Sequence, residues 1–423
     1  MKKIRKIRFK NGLRLLLVNM PQSLAASVLI LVRAGSEYET KSINGLSHFL
    51  EHMTFKGTAN RPKAGMISEE LASLGARSNA FTAQEYTGYW AKVEANKLHK
   101  IIEIVSDLYL NPLLDPAEME KERGVIIQEI NMDEDDLPTR VHRNFMNLLY
   151  GDQPAGWDIA GKKEIIQRLT RADLAKYRTE RYVMPGTVVV VSGKMDEAAA
   201  IRQIKEYFGK LPRRPSSSKK KAVEKQAKPR AAVQFKQSDQ AHFVLGFRAF
   251  SMFDKRRYAI QVLADILGGG SSSRLFKRVR EEMGAAYYIG ADADLSLDHG
   301  FLGVFAGVEH AKLCDVLRVV LQECRRLAEE PVPEKELQKA KDHMLGSLTI
   351  GLETSDEFAS YYGGQEILTE KTLSPEAFMG RIKKVTAEEI RSVARDIIKE
   401  KGLNLAAIGP YKDKKIFEKV LKL

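Results

Sequence analysis

The two halves of the chain echo each other. In the first, Tyr89 to Glu94 reads as a strand, a long helix follows, the chain breaks at Asn111-Pro112, and a second helix spans 115–130. In the second, Phe301 to Glu309 leads into a helix through Leu327, a break at Pro331-Val332-Pro333, and a helix from Glu334. Strands alternating with long helices predict two similar α+β domains, in keeping with a length of 423 residues. Between them, residues 211–230 are rich in Pro, Ser and Lys and read as a solvated, extended linker. The expected boundaries are a first domain over 1–210 and a second over 231–423. Near the start, Asn11-Gly12 sits between two apolar stretches and predicts a hairpin, with no signal-peptide pattern ahead of it.

A net charge of +13 invites a nucleic-acid reading, and its location argues against one. Residues 1–14 hold seven basic and no acidic residues, and residues 210–230 hold nine basic and one acidic, so the remainder is close to neutral. No broad basic face with interleaved aromatics follows from that map. No run approaches the roughly 18 uninterrupted apolar residues of a membrane span. Cys314 and Cys324 lie ten apart in one expected helix, about 15 Å along its axis, too far to pair with each other. Unpaired thiols point to a reducing, cytoplasmic location.

The halves differ in one place that carries chemistry. Residues 48–52 read His48-Phe49-Leu50-Glu51-His52. On a helix expected over 43–56, ending near Gly57, His48 and His52 are one turn apart on one face with Glu51 beside them. Two imidazoles so placed can share a zinc ion, and an adjacent carboxylate can take a proton from an activated water. A catalytic zinc needs a third protein ligand. The acidic helix from Asp115, with Pro116 in its first turn, carries Glu122 and Glu129 two turns apart on one face, and spacing alone does not choose between them. Aligning Glu118 with Glu336 puts Ala340 opposite Glu122 and Ser347 opposite Glu129, and Gly268 to Glu282 contains no histidine. Only the first half carries the motif.

The stretch from His48 to Thr58 resembles the signature of the pitrilysin-type, or inverzincin, zinc peptidases, which include the mitochondrial processing peptidases and insulin-degrading enzyme. Essentially the whole chain shares the resemblance. In that family the third ligand lies about 77 residues beyond the second histidine, which lands here on Glu129. The resemblance therefore implies Zn2+ on His48, His52 and Glu129, Glu51 as general base, and Glu122 orienting a ligand histidine. It implies antiparallel sheets packed by helices in both domains. Gly75 to Thr82 is similar to the family's active-site edge strand, implying that Asn79, Ala80 and Phe81 hold an extended peptide by strand addition. Arg280 and Tyr287 match a pair that contacts substrate, with Tyr287 also stabilising the oxyanion. Gln153-Pro154 departs from the family's usual His-Pro start and touches no zinc residue; the remaining histidines show no ligand spacing.

The implied function is a zinc metalloendopeptidase acting on extended or unfolded peptides. By the same resemblance, a chain the size of a half-length family member is expected to form a homodimer, or a heterodimer with a related subunit. The alternative is a non-catalytic scaffold or binding subunit of a heteromeric peptidase.

Overall fold

The computed structural model describes residues 4–423. In the first half, strands β1 (Ile4–Arg8), β2 (Arg14–Asn19), β3 (Ala25–Val32), β4 (Arg77–Thr82), β5 (Thr87–Glu94) and β6 (Thr187–Gly193) form a sheet of order β1-β2-β6-β3-β5-β4. Its helices are α1 (Leu46–Thr54), α2 (Met66–Ser73), α3 (Leu98–Leu110), α4 (Pro116–Asp135), α5 (Leu137–Tyr150), α6 (Lys163–Ile166), α7 (Arg171–Arg181) and α8 (Glu197–Phe208). In the second half, β7 (Arg230–Phe235), β8 (Ala241–Arg248), β9 (Ala286–Leu295), β10 (Gly300–Val308) and β11 (Leu403–Gly409) form a sheet of order β7-β11-β8-β10-β9. Helices α9 (Arg257–Gly268), α10 (Leu313–Glu329), α11 (Glu334–Ile350), α12 (Ser355–Thr369), α13 (Pro375–Lys383), α14 (Ala387–Ile397) and α15 (Lys415–Glu418) complete it.

Without β1, the two sheet orders are the same when β2, β6, β3, β5 and β4 are matched to β7, β11, β8, β10 and β9. Both sheets are antiparallel apart from one parallel pair each, β2 with β6 and β11 with β7. The fold class is thus α+β with a duplicated plan. The first hairpin forms with a longer loop than a two-residue turn: pairing stops at Arg8 and Arg14, and the Phe9 amide donates to the Leu13 carbonyl at 2.9 Å.

The compact units are not contiguous in the chain. One comprises residues up to Asn131 with Trp157–Lys220 and Ile350–Leu373; the other comprises Met132–Gly156, Lys221–Thr349 and Ser374–Leu423. The reason lies in the strands. Side chains alternate across a sheet, and in β2 both sets are apolar: Leu15 and Leu17 face the core built with α1, α3, α4 and α8, while Leu16 and Val18 face the other way. Each sheet therefore needs a second cover. In the first unit α12 supplies it, packing Phe358, Ala359, Tyr362 and Ile367 on Leu16, Leu29, Leu31 and Val190. In the second unit α5 does the same with Val141, Phe145 and Leu149 on Val244, Phe301 and Ile408. Each half of the chain lends one helix to the other unit, which a boundary at 210–230 does not anticipate.

The basic 211–230 stretch is not wholly solvated. Lys219 has 6% of its side chain accessible and pairs with the buried carboxylates of Glu37 and, at 2.9 Å, Glu85. Two buried acids without a cation would carry a large desolvation cost. Both cysteines are free thiols on α10.

Candidate metal centre

Helix α1 is shorter than the spacing predicts, running from Leu46 to Thr54, because of what flanks it. Gly45 precedes it in the left-handed conformation at φ 96°, where a side chain is strained and would also meet the Ala160 carbonyl. At the other end Phe55 is the C-cap, so Gly57 falls one residue beyond the expected place. The helix start is capped from a distance. The buried Glu39 carboxylate accepts from the amides of Gly45 at 2.8 Å and Ser47 at 2.6 Å, and from the Asn44 side chain at 3.1 Å. An anion at a helix N-terminus satisfies otherwise orphaned amides. Burial nonetheless pushes the Glu39 carboxyl up to about 7, with those hydrogen bonds opposing the rise.

Helix α4 brings the acidic side chains. Asp115 caps it, accepting from the amides of Ala117 and Glu118. Arg123 docks it on α1, its guanidinium 5.5 Å from the centre of the Phe49 ring. Glu122 and Glu129 then face the histidines, and the geometry separates their positions. His48 Nε2 and His52 Nε2 lie 3.1 Å apart, and Glu129 Oε2 is 3.7 Å from the first and 3.5 Å from the second. Glu122 sits on the opposite edge of the His52 ring, with Oε1 2.9 Å from Nδ1. Its other oxygen meets Lys56 Nζ at 2.5 Å. Glu122 is nearly inaccessible, at 7%, whereas 41% of Glu129 is open.

This donor set fits a zinc ion. Ligand atoms about 2.0–2.1 Å from a tetrahedral ion stand about 3.3 Å from one another, close to the 3.1 Å between the Nε2 atoms. Glu129 would close by a few tenths of an ångström. Charge agrees as well: with neutral imidazoles, the carboxylates of Glu51, Glu122 and Glu129 face one ammonium, Lys56, a balance that calls for a dication. Burial alone would lower the His52 pKa, but its hydrogen bond to Glu122 and the charges of Glu129 and Glu51 outweigh it and raise it. Burial works against ionisation of Glu122 too, and His52 and Lys56 overcome it, holding its carboxyl below the ordinary value.

Glu51, one residue before His52, accepts from Thr82 Oγ1 at 2.8 Å. Burial raises its carboxyl above the ordinary value and Glu129 adds to the rise, against the pull of Thr82 and His52. Thr82 ends β4, which among the described residues pairs only with β5 and is an edge of its sheet. Asn79 and Phe81 on that strand are exposed and Ala80 is buried. The Asn79 side chain accepts from the Ala80 amide at 2.9 Å.

Arg280 and Tyr287 belong to the second unit. Arg280 lies in a π-helical stretch from Phe276 to Glu282, with its guanidinium 5.0 Å from the Phe276 ring centre. Tyr287 is 73% exposed on the edge strand β9. Gly307 pairs with Tyr288 and Val308 with Ala286, so Tyr287 is the extra residue of a bulge, a device that re-aims a side chain. Thr82, Lys56 and Glu39 join the centre only through the fold. The first two sit within quoted motifs; Glu39 carries no local signal.

Residues 14–163 match the family profile described as Insulinase (Peptidase family M16), and residues 168–344 match that of the Peptidase M16 inactive domain. A protein of Streptomyces coelicolor named as an uncharacterized zinc protease is 33% identical over 97% of this chain and 90% of its own length. The chain belongs to peptidase family M16. A Bacillus subtilis protein, also named as an uncharacterized zinc protease, is 31% identical across 96% of this chain and 98% of its own. Among solved structures, a protease from Helicobacter pylori superposes with a TM-score of 0.90 at 23% identity, covering 97% of this chain and all of its own. An M16 inactive domain from Pseudomonas fluorescens reaches 0.88 at 17% identity, covering 97% and 98%. The part of this M16 chain that matches the inactive-domain profile is the part without the histidine motif.

Proposed function

We propose that this chain is a zinc-dependent endopeptidase that cleaves extended or unfolded peptides. Zinc is its cofactor, held by His48, His52 and Glu129. The observation that carries the reading is the convergence of two Nε2 atoms 3.1 Å apart with Glu129 Oε2 at 3.5 and 3.7 Å, with Glu51 the neighbouring residue. When bound there, zinc supplies Lewis acidity, which acidifies a water and polarises a carbonyl. Glu122, fixed by Lys56, accepts from His52 Nδ1 and so leaves Nε2 as the donor toward the metal. Glu51 accepts a proton from the attacking water. The water oxygen bonds to the peptide carbonyl carbon, the C–N bond breaks, and Glu51 returns the proton to the departing amine.

The substrate lies along the open edge of β4, whose backbone and Asn79, Ala80 and Phe81 hold it as an added strand. A folded protein does not present such a strand. Arg280 and Tyr287 contact the bound peptide, Tyr287 assisting the oxyanion. The family resemblance supports an assembly in which these two residues come from a partner chain, in a homodimer or with a related subunit. Among the described residues no helix is long and apolar enough to cross a membrane, and the free thiols favour a reducing, cytoplasmic setting.

The test is a metal count on purified protein with a quenched extended peptide, assayed with and without chelator. About one zinc per chain and chelator-sensitive cleavage are expected. A zinc-loaded protein that cleaves no peptide would favour the non-catalytic scaffold instead.

A further inference from the structure

We infer that Thr82 is a positioning residue for hydrolysis: from the end of the peptide-binding edge strand, its hydroxyl fixes the carboxylate of Glu51 for proton transfer. The inference rests on the reading of Glu51 as the proton acceptor. The contact is direct, Oγ1 to Glu51 Oε2 at 2.8 Å. A threonine hydroxyl has one proton to donate, and here it goes to that oxygen. Among the described residues Glu51 Oε1 takes no hydrogen bond, so one oxygen is held and the other is left to the water.

The donor is itself held. Thr82 pairs with Thr87 across β4 and β5. Beyond it, the Ala83 amide donates to the Tyr86 carbonyl at 2.9 Å, and the Glu37 amide donates to the Gln84 carbonyl at 2.9 Å. Lys219 then bridges Glu37 and Glu85 across that junction. Glu51, by contrast, projects from α1 on a side chain with three rotatable bonds. Without Thr82 its carboxylate has several rotamers open to it, and a misplaced base loses rate without losing substrate. The same strand that seats the peptide therefore also seats the base.

Thr82→Val keeps the shape and the β-branch and removes the hydroxyl; Thr82→Ser keeps the hydroxyl. For Thr82→Val, kcat should fall about tenfold, while KM, zinc content and the peptide Kd of metal-free protein (by fluorescence anisotropy) stay within about twofold. Thr82→Ser should recover kcat to within about threefold of the parent. A purely structural role would move melting temperature or peptide affinity and would not distinguish Ser from Val by kcat. Unchanged kcat in Thr82→Val, an equal loss in both variants, or a loss residing in KM or zinc content would each overturn the inference. Glu51→Gln, run alongside, separates the two ideas. Normal turnover in that variant removes the base assignment, whereas an inactive Glu51→Gln beside a fully active Thr82→Val removes Thr82 alone.

Discussion

At the scale of single residues, the centre is defined by which edge of an imidazole each carboxylate meets. Glu129 approaches the Nε2 edge of His52 and Glu122 the Nδ1 edge, 2.9 Å away. In the proposed mechanism, a change at Glu129 removes a donor to the metal, and a change at Glu51 removes only a proton acceptor. Glu129→Gln or His52→Ala should reduce zinc from about one per chain to a small fraction, read by elemental analysis after dialysis. Full occupancy in both would show that the ligands are wrong. Glu51→Gln should retain zinc and bind peptide with its parent affinity while kcat falls by at least about a hundredfold, because an amide does not accept the proton. Near-normal turnover there would take Glu51 out of the chemistry.

At the scale of elements, α1 is held at its start by a carboxylate from outside the helix, and that makes its stability sensitive to pH. Glu39 titrates near 7 in the folded chain against an ordinary value of 4.5. Below pH 4.5 it is protonated in both states. Between 4.5 and 7 the unfolded chain releases the proton while the folded chain keeps it, so the folded state loses stability as pH rises through that window. Above it both states are ionised and the loss is complete, at about 3 kcal/mol. Urea unfolding at the two ends of the window should show the parent losing about 2–3 kcal/mol more than Glu39→Gln. Parallel slopes for the two proteins would assign the titration elsewhere.

At the scale of the molecule, the two units share a plan and divide the candidate site residues between them. The histidine motif and Glu129 lie in one unit, Arg280 and Tyr287 in the other. If partner chains complete each other's sites, two defective chains should rescue one another. Glu51→Gln and Arg280→Ala are each expected to be weak alone. Mixed under subunit exchange, the heterodimer holds one intact site, with Glu51 from one chain and Arg280 with Tyr287 from the other. Activity above the sum of the parents is the expected outcome. No gain despite exchange confirmed by mass would rule out the assembly in trans.

Sequence reading succeeds here where the information is local or repeated. The turn-spaced pair His48 and His52, the Asp115 cap, the hairpin at Asn11-Gly12 and the duplicated strand–helix order all depend on neighbours within a few turns or on internal comparison. The edge position of β4 and the preference for Glu129 over Glu122 as ligand come from family likeness, because helical spacing puts both glutamates on one face. Tertiary packing decided the rest. The seats of Lys56 on Glu122 and Thr82 on Glu51 join elements far apart in the chain, and Glu39 reaches the α1 amides from six to eight residues before them through a backbone path that no spacing pattern announces. Lys219 left an apparently solvated linker because two buried acids required a cation. The exchange of α5 and α12 followed from sheets that are apolar on both faces, a property written in β2 and β3. Which distant helix covers each outer face is a long-range choice that no local pattern encodes.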